Sequence, residues 1–230
     1  MFKVRLNLKK MIAIAICLAV SSVMFTSCGQ AAKSKKVDSN PVVKQVEVDL
    51  SCQDDGVVIN GVKWATRNVA APGTFAAKPE NVGMFYQWNR KVAWAATGDV
   101  TNWNSSLPIG TTWKKSNDPS PTGWRVPTFD EIKTLLDIEK VSNEWAIVNG
   151  VNGRKFTDKI SGKFLFLPAA GIRDYDGTSI GAGSGSDYWS STALDNSDIY
   201  AYYLDFGSES AGYSYTASRI HGFQVRCVAE

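Results

Sequence analysis

Apolar residues in this chain fall mostly into short, partly alternating runs separated by glycine, asparagine and proline, a pattern that suits strands better than long helices. Val42, Val43, Val46, Val48 and Leu50 suit a first strand. Val57-Val-Ile-Asn-Gly-Val-Lys-Trp64 reads as two strands around a tight hairpin, because both central residues of a type I′ turn need positive φ and Asn-Gly supplies them. Val148-Asn-Gly-Val151 carries a second such signal. Met84-Phe-Tyr-Gln-Trp88 and Lys163-Phe-Leu-Phe-Leu-Pro168 read as strands, as do 189–192, 200–206 and 223–228. One helix is well signalled. Thr128 as N-cap with Glu131 three residues on forms a capping box, and Ile132, Leu135 and Leu136 give one apolar stripe. Between 92 and 113 the chain reads as irregular loop whose tryptophans pack down over a sheet. Many short strands and one helix make a single α+β domain over residues 41–230.

A different pattern precedes that domain. Lys3, Arg5, Lys9 and Lys10 lead into the apolar run Met11-Ile-Ala-Ile-Ala-Ile-Cys-Leu-Ala-Val20, the layout of a secretion signal. The run is shorter than the roughly twenty apolar residues that cross a bilayer. Phe25-Thr-Ser-Cys28 resembles a bacterial lipobox, so residues 1–27 are expected to be removed and Cys28 to become a lipid-bearing N-terminus. Simple secretion with cleavage nearby is the alternative. Residues 28–40, small, polar and basic, read as the tether of a protein held on the outer membrane, facing the periplasm or the surface.

Removing the leader changes the charge. It takes away four basic residues of the 25 and none of the 22 acids, leaving a balance near zero. The pI of about 8.6 therefore argues for no nucleic-acid partner. Cys17 leaves with the leader, so Cys52 and Cys227 remain in the folded part. An oxidising exterior permits a bridge between them, but sequence does not supply the Cα separation a disulfide requires. Two buried free thiols stay open as the other reading.

Residues 171–230 hold seven of the eight tyrosines, ten serines, eight glycines, three arginines, eight acids and no lysine. Tyr offers broad contact area at little rotamer cost, and Ser and Gly offer adaptable hydrogen bonding, the mix of antibody binding loops. Strands also enrich Tyr, so half-buried β-structure explains part of it. If 200–206 alternates, Leu204 and Phe206 face the core and Tyr203 and Asp205 face out. His221 is the lone histidine and nothing pairs with it at recognisable spacing, so neither a His-based triad nor a multi-His metal site is expected. Asp174-Tyr-Asp-Gly177 and Asp195-Asn-Ser-Asp198 look like oxygen-ligand loops, but the first lacks the ligand alternation of an EF-hand and both read as solvated turns. No cofactor, no metal and no enzymatic activity are expected.

Four motifs in order carry a resemblance: Gly123-Trp-Arg-Val-Pro-Thr-Phe-Asp-Glu-Ile-Lys-Thr-Leu-Leu136, Leu165-Phe-Leu-Pro-Ala-Ala-Gly171, Tyr188-Trp-Ser-Ser-Thr192 and Gly222-Phe-Gln-Val-Arg-Cys-Val228. Gly61-Val-Lys-Trp-Ala-Thr66 and Gly83-Met-Phe-Tyr-Gln-Trp88 add to it. Over roughly residues 56–228 the chain resembles the Fibrobacter succinogenes major paralogous domain of Bacteroidota lipoproteins. The resemblance implies a C-type-lectin-like fold related to formylglycine-generating enzymes, within an α+β class. It also implies a likeness to variable proteins of diversity-generating retroelements, whose C-terminal codons are mutated to vary ligand binding. Many relatives have Cys where Arg67 stands, so the partner that the resemblance suggests for Cys227 is absent, leaving Cys52 to substitute or Cys227 free. The paired cysteines of the oxidising enzymes have no counterpart here. Nor do the Glu-Pro-Asn and Trp-Asn-Asp signatures of calcium-dependent sugar binding.

The resemblance places the changeable, ligand-binding residues at Asp187, Tyr203, Asp205, Ser208, Glu209, Tyr213, Ser214, Tyr215, Ile220 and His221, with Trp189 as fixed core beneath them. The expected function is a membrane-anchored envelope lipoprotein that binds a protein or glycan through this face. An adhesion module using the tryptophan loops between Trp94 and Trp113 is the alternative, and an envelope enzyme is a third, weaker reading.

Overall fold

The computed structural model of the chain describes residues 53–212 and 216–230. The expected leader, the tether with Cys28, the first expected strand, Cys52, and Tyr213, Ser214 and Tyr215 lie outside the described residues.

In chain order, β1 (Val57–Ile59) and β2 (Val62–Trp64) form a hairpin, and β3 (Phe85–Gln87) pairs with β4 (Ala93–Trp94). After β5 (Trp124–Arg125) comes α1 (Phe129–Thr134). Then β6 (Val141–Val148), β7 (Val151–Asp158) and β8 (Phe164–Pro168) form one antiparallel sheet. Two hairpins follow, β9 (Ile172–Arg173) with β10 (Ser179–Ile180) and β11 (Gly185–Ala193) with β12 (Tyr200–Gly207). The short strands β13 (Ala211–Gly212), β14 (Ala217–Ser218), β15 (Gly222–Phe223) and β16 (Val228–Ala229) finish the chain.

The two Asn-Gly turns form as expected: Asn60 and Gly61 have φ of 44° and 80°, Asn149 and Gly150 of 49° and 82°. Asp158 locks the first turn to the loop after β7. Its carboxylate accepts bonds from the backbone N–H groups of Asn60, Ile160 and Ser161, which hold its pKa down at about 2.

The α+β, C-type-lectin-like expectation is corrected by this architecture. Among the described residues the fold is mainly β, and α1 is its single α-helix, six residues long. The capping box is present with both reciprocal bonds, Glu131 N–H to Thr128 Oγ1 at 3.3 Å and Thr128 N–H to Glu131 Oε2 at 2.7 Å. A cap fixes where a helix starts, not how far it runs. Leu135 and Leu136 donate to the carbonyls of Ile132 and Lys133, three residues back, which tightens the last turn and ends the helix. Asp137 then accepts from Glu139 N–H, and the chain turns into β6.

The segment 223–228 is extended but is not one strand. It crosses several elements in turn: Gln224 exchanges backbone bonds with Asp187 and Trp189, while Val225 and Cys227 accept from Val69 and Ala65. By this route the sheet β10-β9-β15-β3-β4 is joined to the sheet β1-β2-β16-β5. The main core gathers Ile59, Ile132, Phe156, Leu165, Tyr188, Leu204 and Phe206 between the β6–β8 sheet, the helix and one face of β11–β12. Burying each such side chain contributes about 1.5–3 kcal/mol. A smaller cluster of Trp88, Trp189, Ala201 and Phe223 sits under the opposite face of β11–β12.

Candidate functional site

The two faces of β11–β12 have different fates because side chains alternate along each strand. Leu204 and Phe206 turn inward, each 1% exposed, and Tyr188 stacks on Phe206. On the other face the register places Asp187 opposite Asp205 and Trp189 opposite Tyr203. Trp189 is fully buried, with its Nε1 donating to the Tyr86 carbonyl at 2.8 Å, so it is scaffold as expected. Its ring stacks on Phe223 at 4.1 Å, and Tyr203 leans on both. His221 stacks on the far side of this cluster, 5.8 Å from Phe223, and its Nε2 lies 3.1 Å from Asp174 Oδ1. An acid–aromatic–acid array results, running from the Asp187–Asp205 pair through Tyr203 and Phe223 to His221 and Asp174.

The structure therefore brings Asp187, Tyr203, Asp205 and His221 onto one face. Ile220 is half-buried, and its carbonyl accepts from Gln87 Nε2, so it supports the face through its backbone. Ser208 and Glu209 are exposed at the turn between β12 and β13, beyond the Asp205 end of the array. Tyr213, Ser214 and Tyr215 lie outside the described residues, between Gly212, which pairs with Asp205, and Ala217, which pairs with Ala201.

Asp187 is the most perturbed acid of the face. Burial, the facing Asp205 carboxylate and a hydrogen bond with it raise its pKa well above the ordinary aspartate range. The pair lines a cavity of about 470 Å³ between β9–β10 and β11–β12, with Gly171, Ile180, Gly207 and Ser210 in its walls. Gly171 is needed there: its φ is +72°, and a Cβ would lie 2.1 Å from the Ile180 carbonyl oxygen.

Three buried arginines hold the loops beneath and around this face. Arg219, fully buried over the Trp88 ring, donates to the carbonyls of Tyr200, Gly110 and Ser197. Arg173 bonds the carbonyls of Ala95 and Gly177, and Arg226 bonds Asn68 Oδ1 and the Ala65 carbonyl. Sequence reading missed these clamps because charge alone marks an arginine as surface. It named Asp174 only as part of a solvated turn and missed its pairing with His221, 47 positions away.

The remaining candidates are quieter. The Asp174 and Asp176 carboxylates accept from the N–H groups of Tyr175 and Thr178, as in turns, and no group of three or more metal-ligating side chains occurs among the described residues. A larger cavity of about 560 Å³ lies beside Trp113, Trp124 and Arg125. Of its lining charges Lys115 pairs with Glu230 and Arg125 with Glu131, while Lys91 is exposed. Cys227 is fully buried and unbridged among the described residues, burial pushes its pKa up, and its Sγ donates to Ser120 Oγ at 3.0 Å. Its proposed partner Cys52 lies outside the described residues.

Residues 83–229 match the Lcl C-terminal domain, well over half of the chain and every described residue of the array. The chain belongs to the Lcl C-terminal domain family. That membership is consistent with the lipoprotein family its motifs resemble, and it suggests an envelope-associated protein. The fold reaches further back than the match, since β2 of the preceding segment pairs with β16 at Trp64 and Val228. Comparisons with curated proteins and with solved structures return no match. Among the described residues no helix is long and apolar enough to cross a membrane.

Proposed function

We propose that this Lcl C-terminal domain protein is a lipid-anchored envelope receptor that captures a protein or glycan noncovalently on the outward face of β11–β12, and that it is not an enzyme. The observation that carries the reading is the Asp187, Tyr203, Asp205 and His221 array, which sits on a buried Trp189–Phe223 floor. A rigid aromatic floor under exchangeable polar residues is how a binding surface varies without unfolding its scaffold. The same division supports diversification of this segment by a retroelement. A genomic template repeat differing from the gene at adenine positions alone is the expected sign, and its absence together with the absence of a neighbouring reverse transcriptase removes that part.

Adhesion through the tryptophan loops draws less support. Trp103 packs on Trp94 at 4.8 Å and Trp113 on Trp88 at 5.5 Å, so these indoles serve the interior. A glycan and protein array probed with the full chain tests the proposal. Capture of a ligand is expected to fall about tenfold or more in Tyr203→Ala, as for a central aromatic contact. Capture that survives Tyr203→Ala and His221→Ala unchanged moves the site elsewhere.

A further inference from the structure

We infer that the partner of this face is cationic: an extended polypeptide segment that places lysine or arginine side chains in the groove between β10 and the β11–β12 hairpin. The inference rests on the recognition reading above and adds the chemistry of the ligand.

The first support is charge complementarity. Residues 171–230 contain no lysine, and their three arginines, Arg173, Arg219 and Arg226, are at most 1% exposed and bonded to protein oxygens. Their positive charge does not reach the binding surface as accessible side chains. Asp176, Asp195, Asp198, Asp205 and Glu209 are all exposed. The groove lining itself holds Asp187 and Asp205 and no lysine or arginine, a local field that attracts basic segments and repels phosphate-bearing ones.

The second support is the register inside the groove. Asp187 and Asp205 stand directly across from each other on neighbouring strands. Like charges in that position destabilise a sheet, and burial together with the facing Asp205 carboxylate raises the Asp187 pKa. A neutral sugar would leave the two carboxyls as they are. An ammonium or guanidinium group placed between them offsets their repulsion and forms charge-assisted hydrogen bonds to both.

The third support is the shape of the groove wall. β10 is the outer strand of its five-stranded sheet, Ile180 on it is 45% exposed, and both it and the Asp pair line the same cavity of about 470 Å³. An edge strand offers unpaired backbone groups to an extended chain, whose alternate side chains then reach the floor. Main-chain pairing along β10 with a basic side chain over Asp187 and Asp205 satisfies the edge and the carboxyl pair together.

The test is selection from a phage-displayed library of random linear heptapeptides on the full chain. Recovered peptides are expected to be rich in lysine and arginine. The tightest lysine-bearing peptide is expected to lose about tenfold in affinity when its lysines are acetylated, and a similar factor against the double variant Asp187→Asn/Asp205→Asn. Acetylation tests the inference on the unaltered protein, so a folding defect in the variant cannot decide it. Recovery of peptides without cation excess, recovery of none, or affinity unchanged by acetylation overturns the inference. If the array then finds a neutral glycan whose capture needs Tyr203, the recognition reading stands without this one. If neither search finds a Tyr203-dependent ligand, both fall.

Discussion

Two long antiparallel hairpins in this protein treat facing charges in opposite ways. In β6–β7 the register runs unbroken from Val141 opposite Asp158 to Val148 opposite Val151. There Glu144 faces Lys155, with Nζ and Oε1 2.7 Å apart. In β11–β12 the register shifts between Trp189 and Ala193, and Asp187 faces Asp205. Opposite charges across a ladder help it by a few tenths of a kcal/mol, while like charges weaken it by a similar amount. The first hairpin is arranged as a self-satisfied surface. The second keeps an unfavourable pair, over a floor of buried aromatic rings, where a ligand has something to gain. On the proposed function, local stability is traded for a binding surface on one hairpin and not on the other.

Removing the clamp under the second hairpin is expected to break the contrast most. Arg219→Ala leaves three carbonyls without their donor and a void beside Trp88. A loss of about 3 kcal/mol or more in urea unfolding follows from the combined unpaired groups and cavity. Retention of wild-type stability would show that Arg219 is not the anchor of these loops.

A smaller effect of the opposite sign is expected from Asp187→Asn. An amide is neutral at every pH, so the variant removes the cost of taking up a proton opposite Asp205 on folding, and stability at neutral pH should rise by about 1 kcal/mol. The pH dependence is a second readout. Asp187 holds its proton more tightly when folded than when unfolded. Its contribution is therefore present in full below the ordinary aspartate value and is lost as pH rises through the raised folded value. The Asn variant should lack this downward slope, and thermal unfolding from acid to neutral pH measures it.

The smallest effect belongs to the first hairpin. Lys155→Ala breaks the pair with Glu144, whose side chain is 63% exposed, and the change in unfolding free energy should stay under about 0.5 kcal/mol. Ligand capture should not change. A Lys155 effect as large as that of Asp187 would erase the distinction between the two hairpins.

Much of the local structure was legible in the residues themselves. Both Asn-Gly turns, the capping box at Thr128 and Glu131, the buried strand at Phe164–Pro168 and the inward turn of Leu204 and Phe206 follow from φ requirements, side-chain reach and a period of two. The α+β class did not follow, because a start signal says nothing of a helix's length and α1 ends after six residues. For the site, the residues Asp187, Tyr203, Asp205 and His221 were marked out by family resemblance and alternation. Their mutual arrangement was not.

By itself, then, the sequence determined which residues turn, which alternate, and that the last sixty positions carry acid and tyrosine but no lysine. Those properties depend on neighbours a few positions apart. Tertiary structure alone decided that Asp187 faces Asp205, that His221 meets Asp174, and that every arginine of the segment is drawn inside. Each of these depends on register between strands or on carbonyls presented by distant loops, such as Gly110 to Arg219, and these are set by how the whole core packs.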